Sequence, residues 1–426
     1  MLIANERAVR SRYPADLKAI LNGERAAESR AWLRAWNGLC DGPTPLWNLP
    51  GIARRLNVAS VNVKDEGLRS PLGSFKALGA PIALVRLILR LRPSSNVDPK
   101  GVLSGRYQAI LDEFTVISAT DGNHGRALAA AARSAGCRCE IVLHANVSAE
   151  REAAIAALGA HISRISGDYD ESVKEAARLA EAHGWHAVSD TSYEGYVDIP
   201  RDVMQGYGTI AAELIEQTGD EPGEECSFTH VFLQGGVGGF AAGIASYFWE
   251  YYGLKRPTFV VVEPEQADCL LRSAVHGHAA GTRGSVDSVM AGLACGEASP
   301  LAWRFLQTGA DYFMTVSDED AVSAMRIFAE GSDVDIPIVS GESGAAGLCA
   351  VITLRQDAAA SFIAGLDDAA RILVINTEAD TAPAVYERLA GEPGDSVRAR
   401  QARWLRDDPE RAISSRPALQ LGPAEP

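Results

Sequence analysis

The first residue in this chain placed to do chemistry is a lysine in an unusual setting. Lys76 stands in Ser70-Pro-Leu-Gly-Ser-Phe-Lys76-Ala-Leu-Gly79, one of only six lysines (Lys18, Lys64, Lys76, Lys100, Lys174 and Lys255) against 34 arginines. Phe75, Ala77 and Leu78 flank it, and the run Ala80–Leu91 that follows is apolar on most faces. A desolvated lysine has a lowered pKa and serves as a nucleophilic amine or a base. The plainer alternative is a surface lysine whose stem lies on apolar ground and whose amine reaches water.

A second constellation is Ser118-Ala-Thr-Asp-Gly-Asn-His-Gly125, between a strand-like and a helix-like run. The unpaired N–H groups of a helix start bind carboxylates or phosphates, and Ser118, Thr120 and Asn123 offer further donors. Ordinary capping by Asp121 or Asn123 is the competing reading. A third is Gln234-Gly-Gly-Val-Gly-Gly-Phe-Ala-Ala-Gly243, again after a strand and before a helix. Adjacent glycines let backbone N–H groups wrap an anion, which points to a phosphate. The stretch Gly236–Ala241 also fits the dinucleotide pattern G-x-G-x-x-A, and Glu263 ends the next strand where a ribose-binding acid would sit. A nicotinamide-dependent oxidoreductase is therefore a rival reading. Polar loops at Ser189–Gly195, Ser340–Gly344 and Asn376–Thr381 each adjoin an apolar run, the position of functional loops in open α/β sheets. No metal site is expected: His183-Gly-Trp-His186 straddles a glycine at a helix end, and H-E-x-x-H is absent.

These loops need elements to hold them. Short strand-like runs (Thr115–Ala119, Glu140–His144, His161–Ile165, His230–Gln234, Thr258–Glu263, Arg371–Ile375) alternate with helix-like ones (Asn123–Ala135, Tyr169–His183, Asp318–Ala329, Ser343–Leu354). A further helix is capped by Ser148, and one past Pro200 carries Ile210, Ala211, Leu214 and Ile215 on one face. The alternation predicts an α/β fold with parallel strands and right-handed crossovers. The stretch 92–113 reads as an inserted surface excursion, and 391–426 as a peripheral helix or a partly disordered tail.

Length and composition set bounds. The chain has 426 residues, 47% of them hydrophobic, and carries a net charge of −15. Two or three folded units are expected, with no need of staples. The charge disfavours nucleic acid and anionic membranes. No run reaches the roughly 18 apolar residues of a membrane span, and the start turns polar too soon for a secretory signal. Seven scattered cysteines suit reduced thiols in a cytoplasmic protein; Cys269 and Cys295 would pair only if the fold brings them together.

Taken in order, an apolar S-F-K, a turn with G-N-H-G, a glycine-rich loop and a late Thr-bearing strand end resemble the fold-type II pyridoxal-phosphate enzymes. That is the superfamily of tryptophan synthase β, threonine dehydratase and cysteine synthase, and the resemblance covers residues 40 to 390. It implies two open, mostly parallel sheets flanked by helices, with a large cofactor-binding domain (1–113 plus 198–426) and a small one (114–197). It implies that Lys76 binds pyridoxal 5'-phosphate covalently, beside Phe75. Asn123 would contact the ring hydroxyl, and Gly235, Gly236, Val237, Gly238 and Gly239 would hold the phosphate. Thr377 would face the ring nitrogen, with Asn376 the choice if the register slips by one. A small amino-acid substrate would lie against Ser118, Thr120, Asp121 and Asp190, and a homodimer is implied.

One departure narrows the family. Commoner members carry a small neutral residue where this chain has Asp121. With Asp-Thr-Ser-Tyr-Glu-Gly-Tyr196, Ala-Gly-Leu-Ala-Cys-Gly-Glu297, Ser-Gly-Glu-Ser-Gly-Ala345 and Thr-Glu-Ala-Asp-Thr381, the chain looks like diaminopropionate ammonia-lyase. That family turns 2,3-diaminopropionate, in either mirror form, into pyruvate and two ammonia molecules. Charge agrees with the narrower choice. A carboxylate near an amino-acid substrate repels its carboxylate unless a cation sits farther along, and a pair at ~4 Å with a dielectric of about 20 is worth on the order of 4 kcal/mol before desolvation. A β-ammonium supplies that cation; a serine or threonine hydroxyl does not. Lys76 would then be the base for the L form and Asp121 the base for the D form, with Asp190 partnering the leaving amine. A serine or threonine dehydratase and a catalytically silent cofactor carrier remain alternatives.

Overall fold

The computed structural model describes residues 1–93, 96–120, 122–145, 147–167 and 169–407. Eleven strands lie within these bounds: β1 (Leu2–Ala4), β2 (Leu46–Asn48), β3 (Ser60–Asp65), β4 (Thr115–Ala119), β5 (Arg138–Leu143), β6 (His161–Arg164), β7 (His186–Ala187), β8 (His230–Gln234), β9 (Thr258–Pro264), β10 (Tyr312–Val316) and β11 (Arg371–Asn376). They form a seven-stranded sheet in the order β1-β10-β9-β8-β11-β3-β2 and a four-stranded sheet in the order β6-β5-β4-β7. The smaller sheet is parallel throughout, whereas the larger is parallel except at its edges, where β1 and β2 run antiparallel. The α/β class with two open, mostly parallel sheets is therefore observed.

The central strands explain themselves. β8, β9 and β11 are buried along nearly their whole length, as parallel strands covered on both faces must be. β8 and β11 are each followed at the C-terminal end by one of the loops singled out above, because in such sheets that edge is where crossovers leave room for ligands.

Packing divides the chain into two compact units, one comprising Met1–Gly23, Gly42–Leu68 and the chain from Ile210, the other Glu24–Asp41 and Arg69–Thr209. These bounds differ from the expected 114–197: residues 24–41, 69–113 and 198–209 join the smaller sheet's unit. The helix Ala80–Leu91 packs on the alanine-rich helix Asn123–Ala135, whose small side chains allow close approach.

Other expectations change too. The stretch 92–113 is no mere surface excursion: it holds helices Pro99–Leu103 and Gln108–Leu111, with Val102, Leu103 and Leu111 buried. Asp98 caps the first by accepting from the N–H groups of Lys100 (3.4 Å) and Gly101 (3.1 Å). The tail, by contrast, takes the helical form expected of it over Gly394–Asp407, with Val397 fully buried and Trp404 donating to Ser332 O (3.1 Å); residues 408–426 lie outside the described residues. The helix expected from Ser343 begins at Ala346, and the Ser343 N–H ahead of it donates to the Glu378 carboxylate (3.1 Å). None of the seven cysteines is in a disulfide, Cys269 and Cys295 included. Among the described residues no single helix is long and apolar enough to cross a membrane.

Candidate active site

Lys76 lies in the tight 3-10 turn Phe75–Leu78, with Phe75, Ala77 and Leu78 buried around it. The Phe75 ring meets Tyr207 edge-on at 4.8 Å, and the Lys76 Nζ stands 5.2 Å from the Phe75 ring centre and 6.0 Å from that of Tyr207. The sequence suggests an amine isolated among apolar groups; the structure instead pairs it with the Asp190 carboxylate, the two side chains being 20% and 24% exposed. Burial works to raise the Asp190 carboxyl, but the Lys76 ammonium, by its charge and its hydrogen bond, outweighs it and holds the group well below the usual aspartate range. Asp190 is thus an anion at any working pH.

His124 completes this cluster. Fully buried, it uses its Nε2–H to donate to Val188 O at 2.9 Å, leaving Nδ1 without a hydrogen-bond partner among the described residues, 3.9 Å from Asp190 Oδ2. Desolvation lowers its pKa despite the opposing Asp190, so the ring is neutral and its Nδ1 lone pair is an acceptor suited to an ammonium group.

The turn after β4 places Ser118 in the strand, buried, and Thr120 just beyond it, with Thr120 Oγ1 accepting from the Gly122 N–H at 3.5 Å. The helix begins at Asn123 with Gly122 as its cap and no side-chain cap bond, so Asn123 is the first helical residue and not the capping one. Asp121 lies outside the described residues.

In the larger sheet's unit, β8 ends at Gln234 and the chain turns through Gly235–Gly238 into the 14-residue helix Gly239–Tyr252. A side chain at Gly235 would strike the Glu263 Cγ at 2.6 Å, and Gly238 has φ +98°, a backbone that L side chains rarely adopt. The loop is also tied to its neighbours: Gln234 Nε2 donates to Ile375 O (2.8 Å) and Gly344 O (3.1 Å), and the Ser299 N–H to Val237 O (2.9 Å). A glycine-walled turn opening a long helix fits a phosphate group.

The end of β11 carries the two candidate partners for the ring nitrogen. Asn376 uses its amide to donate to Asp65 Oδ1 (2.8 Å) and Val339 O (3.0 Å), so it is bound into the framework. Thr377, 3% exposed, follows it directly.

Glu263 does not serve as a ribose-binding acid. Its two oxygens accept from the N–H groups of Leu270 (2.8 Å) and Leu271 (2.7 Å), capping the helix Cys269–His276 beneath the glycine loop. Burial, against those two hydrogen bonds, pushes its carboxyl from 4.5 up to about 8. The folded protein therefore keeps a proton that the unfolded chain releases above about 4.5. The stability linked to this group is full below that pH and is lost as pH rises toward 8. Urea midpoints taken across this window should fall more steeply with pH in the wild type than in Glu263→Gln, which cannot ionise. Parallel profiles would show that Glu263 titrates in the usual range.

Comparison with known proteins agrees with these features. The family model for pyridoxal-phosphate dependent enzymes matches residues 39–395, and the chain belongs to that family, in its fold-type II branch. Within it the chain falls among the diaminopropionate ammonia-lyases. It is 37% identical over 363 residues to the Escherichia coli (strain K12) enzyme of that name, covering 83% of this chain and 89% of that one. It is 36% identical over 354 residues to the Salmonella typhimurium enzyme, covering 81% and 87%. The crystal structure of the holo E. coli enzyme superposes with a TM-score of 0.82 at 34% identity, covering 92% of this chain and 96% of that one. The same enzyme has also been solved in complex with an aminoacrylate-PLP azomethine reaction intermediate (TM-score 0.81, 33% identity, 92% and 96% covered).

The structure therefore gathers Lys76, Phe75 and Asp190 in one unit, and gives the other the glycine loop and Thr377. Tyr207 was missed by sequence reasoning, and nothing in its helical context signals it. His124 was in view within G-N-H-G without a role.

Proposed function

We propose that this protein is a carbon–nitrogen lyase that uses pyridoxal phosphate to convert D- and L-2,3-diaminopropionate to pyruvate and ammonia. The observation that carries the reading is the Asp190 carboxylate held at the Lys76 amine, with the neutral His124 Nδ1 beside it. Such a pair suits any ammonium group that takes the place of the lysine amine, and a diamino acid brings two. The names of the E. coli and Salmonella relatives support the same substrate.

Lys76 would hold the cofactor, the turn Gly235–Gly239 its phosphate, Asn123 its ring hydroxyl and Thr377 its ring nitrogen. Bound there, the group supplies an electron sink that lowers the cost of removing the substrate α-proton. Lys76 Nζ takes that proton from the L form as general base. Asp121 takes it from the D form, whose α-hydrogen lies on the opposite face when the other groups keep their places. Asp190 holds the β-nitrogen as an ammonium, the protonation state in which it departs. Ser118 and Thr120 offer hydroxyls to the substrate carboxylate. We place the enzyme in the cytoplasm as a homodimer, in keeping with the family resemblance.

The test is release of pyruvate and ammonia, in a 1:2 ratio, from each isomer by the cofactor-loaded protein. Serine or threonine turning over better than diaminopropionate would favour a dehydratase instead. Asp121→Asn adds a sharper check: kcat/KM should fall by about 10²-fold or more on the D form alone. Equal retention on both isomers, the outcome if Asp121 only caps a helix, would remove it from the chemistry, since Asn caps about as well as Asp.

A further inference from the structure

Asp190 lies in a loop, yet its carboxylate is aimed at one amine. What aims it lies six residues downstream. The Tyr196 hydroxyl accepts from the Ser189 N–H at 2.9 Å and donates to Ala187 O at 3.0 Å. One side-chain oxygen thus grips the backbone on both sides of Val188, whose own carbonyl receives the His124 Nε2–H. Tyr196 is held in turn. Its N–H donates to Tyr193 O (3.0 Å) and its carbonyl accepts from the Tyr193 N–H (3.3 Å), closing a two-residue turn over Glu194 and Gly195. Gly195 has φ +79°, which admits glycine freely, and the two tyrosine rings stack at 4.8 Å with an angle of 11°. The Thr191 N–H donates to Ser189 Oγ at 3.3 Å, tying down the residue after Asp190 as well. Nothing in the residue types of Ser189–Tyr196 reveals this arrangement, because the hydroxyl bonds backbone atoms, which every residue has.

We propose that Tyr196 is a positioning residue for Asp190: its hydroxyl clamp sets where the carboxylate meets the Lys76 nitrogen, and so sets the charge held on that nitrogen. The inference rests on the reading that Lys76 carries the cofactor. A loop carboxylate keeps a fixed field at a reacting atom only where its backbone is itself fixed, and here two hydrogen bonds to one ring oxygen do so. The charged and titratable groups facing this pair are few. Lys76 and His124 face Asp190, Tyr207 faces Lys76, and Tyr193, Asp190 and Arg90 face Tyr196.

The test uses the pyridoxal-phosphate-loaded enzyme, whose visible absorption reports protonation of the lysine-linked nitrogen as pH is varied. Tyr196→Phe keeps the ring and its stack and removes only the hydroxyl. Its titration midpoint should drop by about one pH unit, the scale of partly losing a close opposite charge. Asp190→Asn should lower the midpoint further, and the double variant no further than Asp190→Asn alone, since Tyr196 acts through Asp190. An unmoved midpoint in Tyr196→Phe, or a double-variant shift equal to the sum of the two, overturns the inference. If Tyr196→Phe fails to fold, Gly195→Ala stands in. Its added Cβ meets nothing within 4 Å and strains only the turn, so a smaller drop supports the clamp and no drop refutes it. Borohydride reduction and peptide mapping of the same samples separate the two levels. Cofactor on another lysine overturns the reading and the inference together; cofactor on Lys76 with an unmoved midpoint overturns the inference alone.

Discussion

Lys76→Ala is expected to lower pyruvate release from 2,3-diaminopropionate by at least about 10³-fold, because on the roles proposed for Lys76 one substitution removes both the cofactor linkage and the base for the L form. The variant still folds, since the Lys76 amine is partly exposed and its partner Asp190 regains water when the pair is broken. It should also still take up free pyridoxal phosphate, as the glycine turn that would hold the phosphate is untouched. Its absorption should then be that of the free aldehyde. Borohydride reduction of the wild type should fix the pyridoxyl group on Lys76. Recovery on a different lysine, or a variant that keeps even a tenth of the wild-type rate, would end the assignment.

The second large effect is on stability and concerns Lys64, the lysine most deeply withdrawn from solvent. Its side chain is fully buried, and its Nζ donates to Glu213 Oε2 (2.7 Å), Thr44 O (2.8 Å) and Gln217 Oε1 (3.0 Å). All three ammonium hydrogens are committed, which removes this amine from the chemistry. Glu213, 3% exposed, also accepts from the Thr44 N–H at 3.2 Å. Lys64→Met strands that carboxylate in the interior, and breaking a buried pair on one side costs about 3–5 kcal/mol. Replacing both partners, Lys64→Met with Glu213→Leu, should restore most of the loss, because the desolvated charges then vanish together. Urea unfolding of the three variants measures both quantities. A single variant within about 0.5 kcal/mol of the wild type would show that the pair bears little of the fold's stability.

The two lysines show what a sequence can and cannot convey. Both lie beside apolar residues, and Lys76 stands apart only through the S-F-K turn and the helix behind it. That Lys64 is locked in an ion pair depends on Glu213, 149 residues away. Glu263 teaches the same lesson from the other side. A carboxylate at a strand end after a glycine loop has the spacing of a ribose-binding acid, yet here it caps the next helix of its own chain. Spacing along a strand does not reveal whether a side chain turns toward a ligand or toward the following backbone. The helices within 92–113 were legible in principle, since Asp98-Pro99 is a helix start, but the runs are too short for their apolar period to stand out.

By itself, the sequence determined the class of fold and the chemistry available to it. Parallel strands buried on both faces demand continuous apolar runs, and a backbone that wraps a phosphate demands adjacent glycines. Such local requirements are written in consecutive residues, so the strand–helix alternation, the Lys76 turn and the Gly235–Gly239 loop could be read directly. The tertiary structure alone decided partnership. It set Asp190 against Lys76 across 114 residues, bound Asn376 into the framework ahead of Thr377, and gave Tyr196 its grip on the backbone around Val188. Hydrogen bonds and ion pairs act over a few ångströms of space and are blind to chain separation. Which groups meet is therefore settled only when the sheets have formed and their loops have been brought to rest.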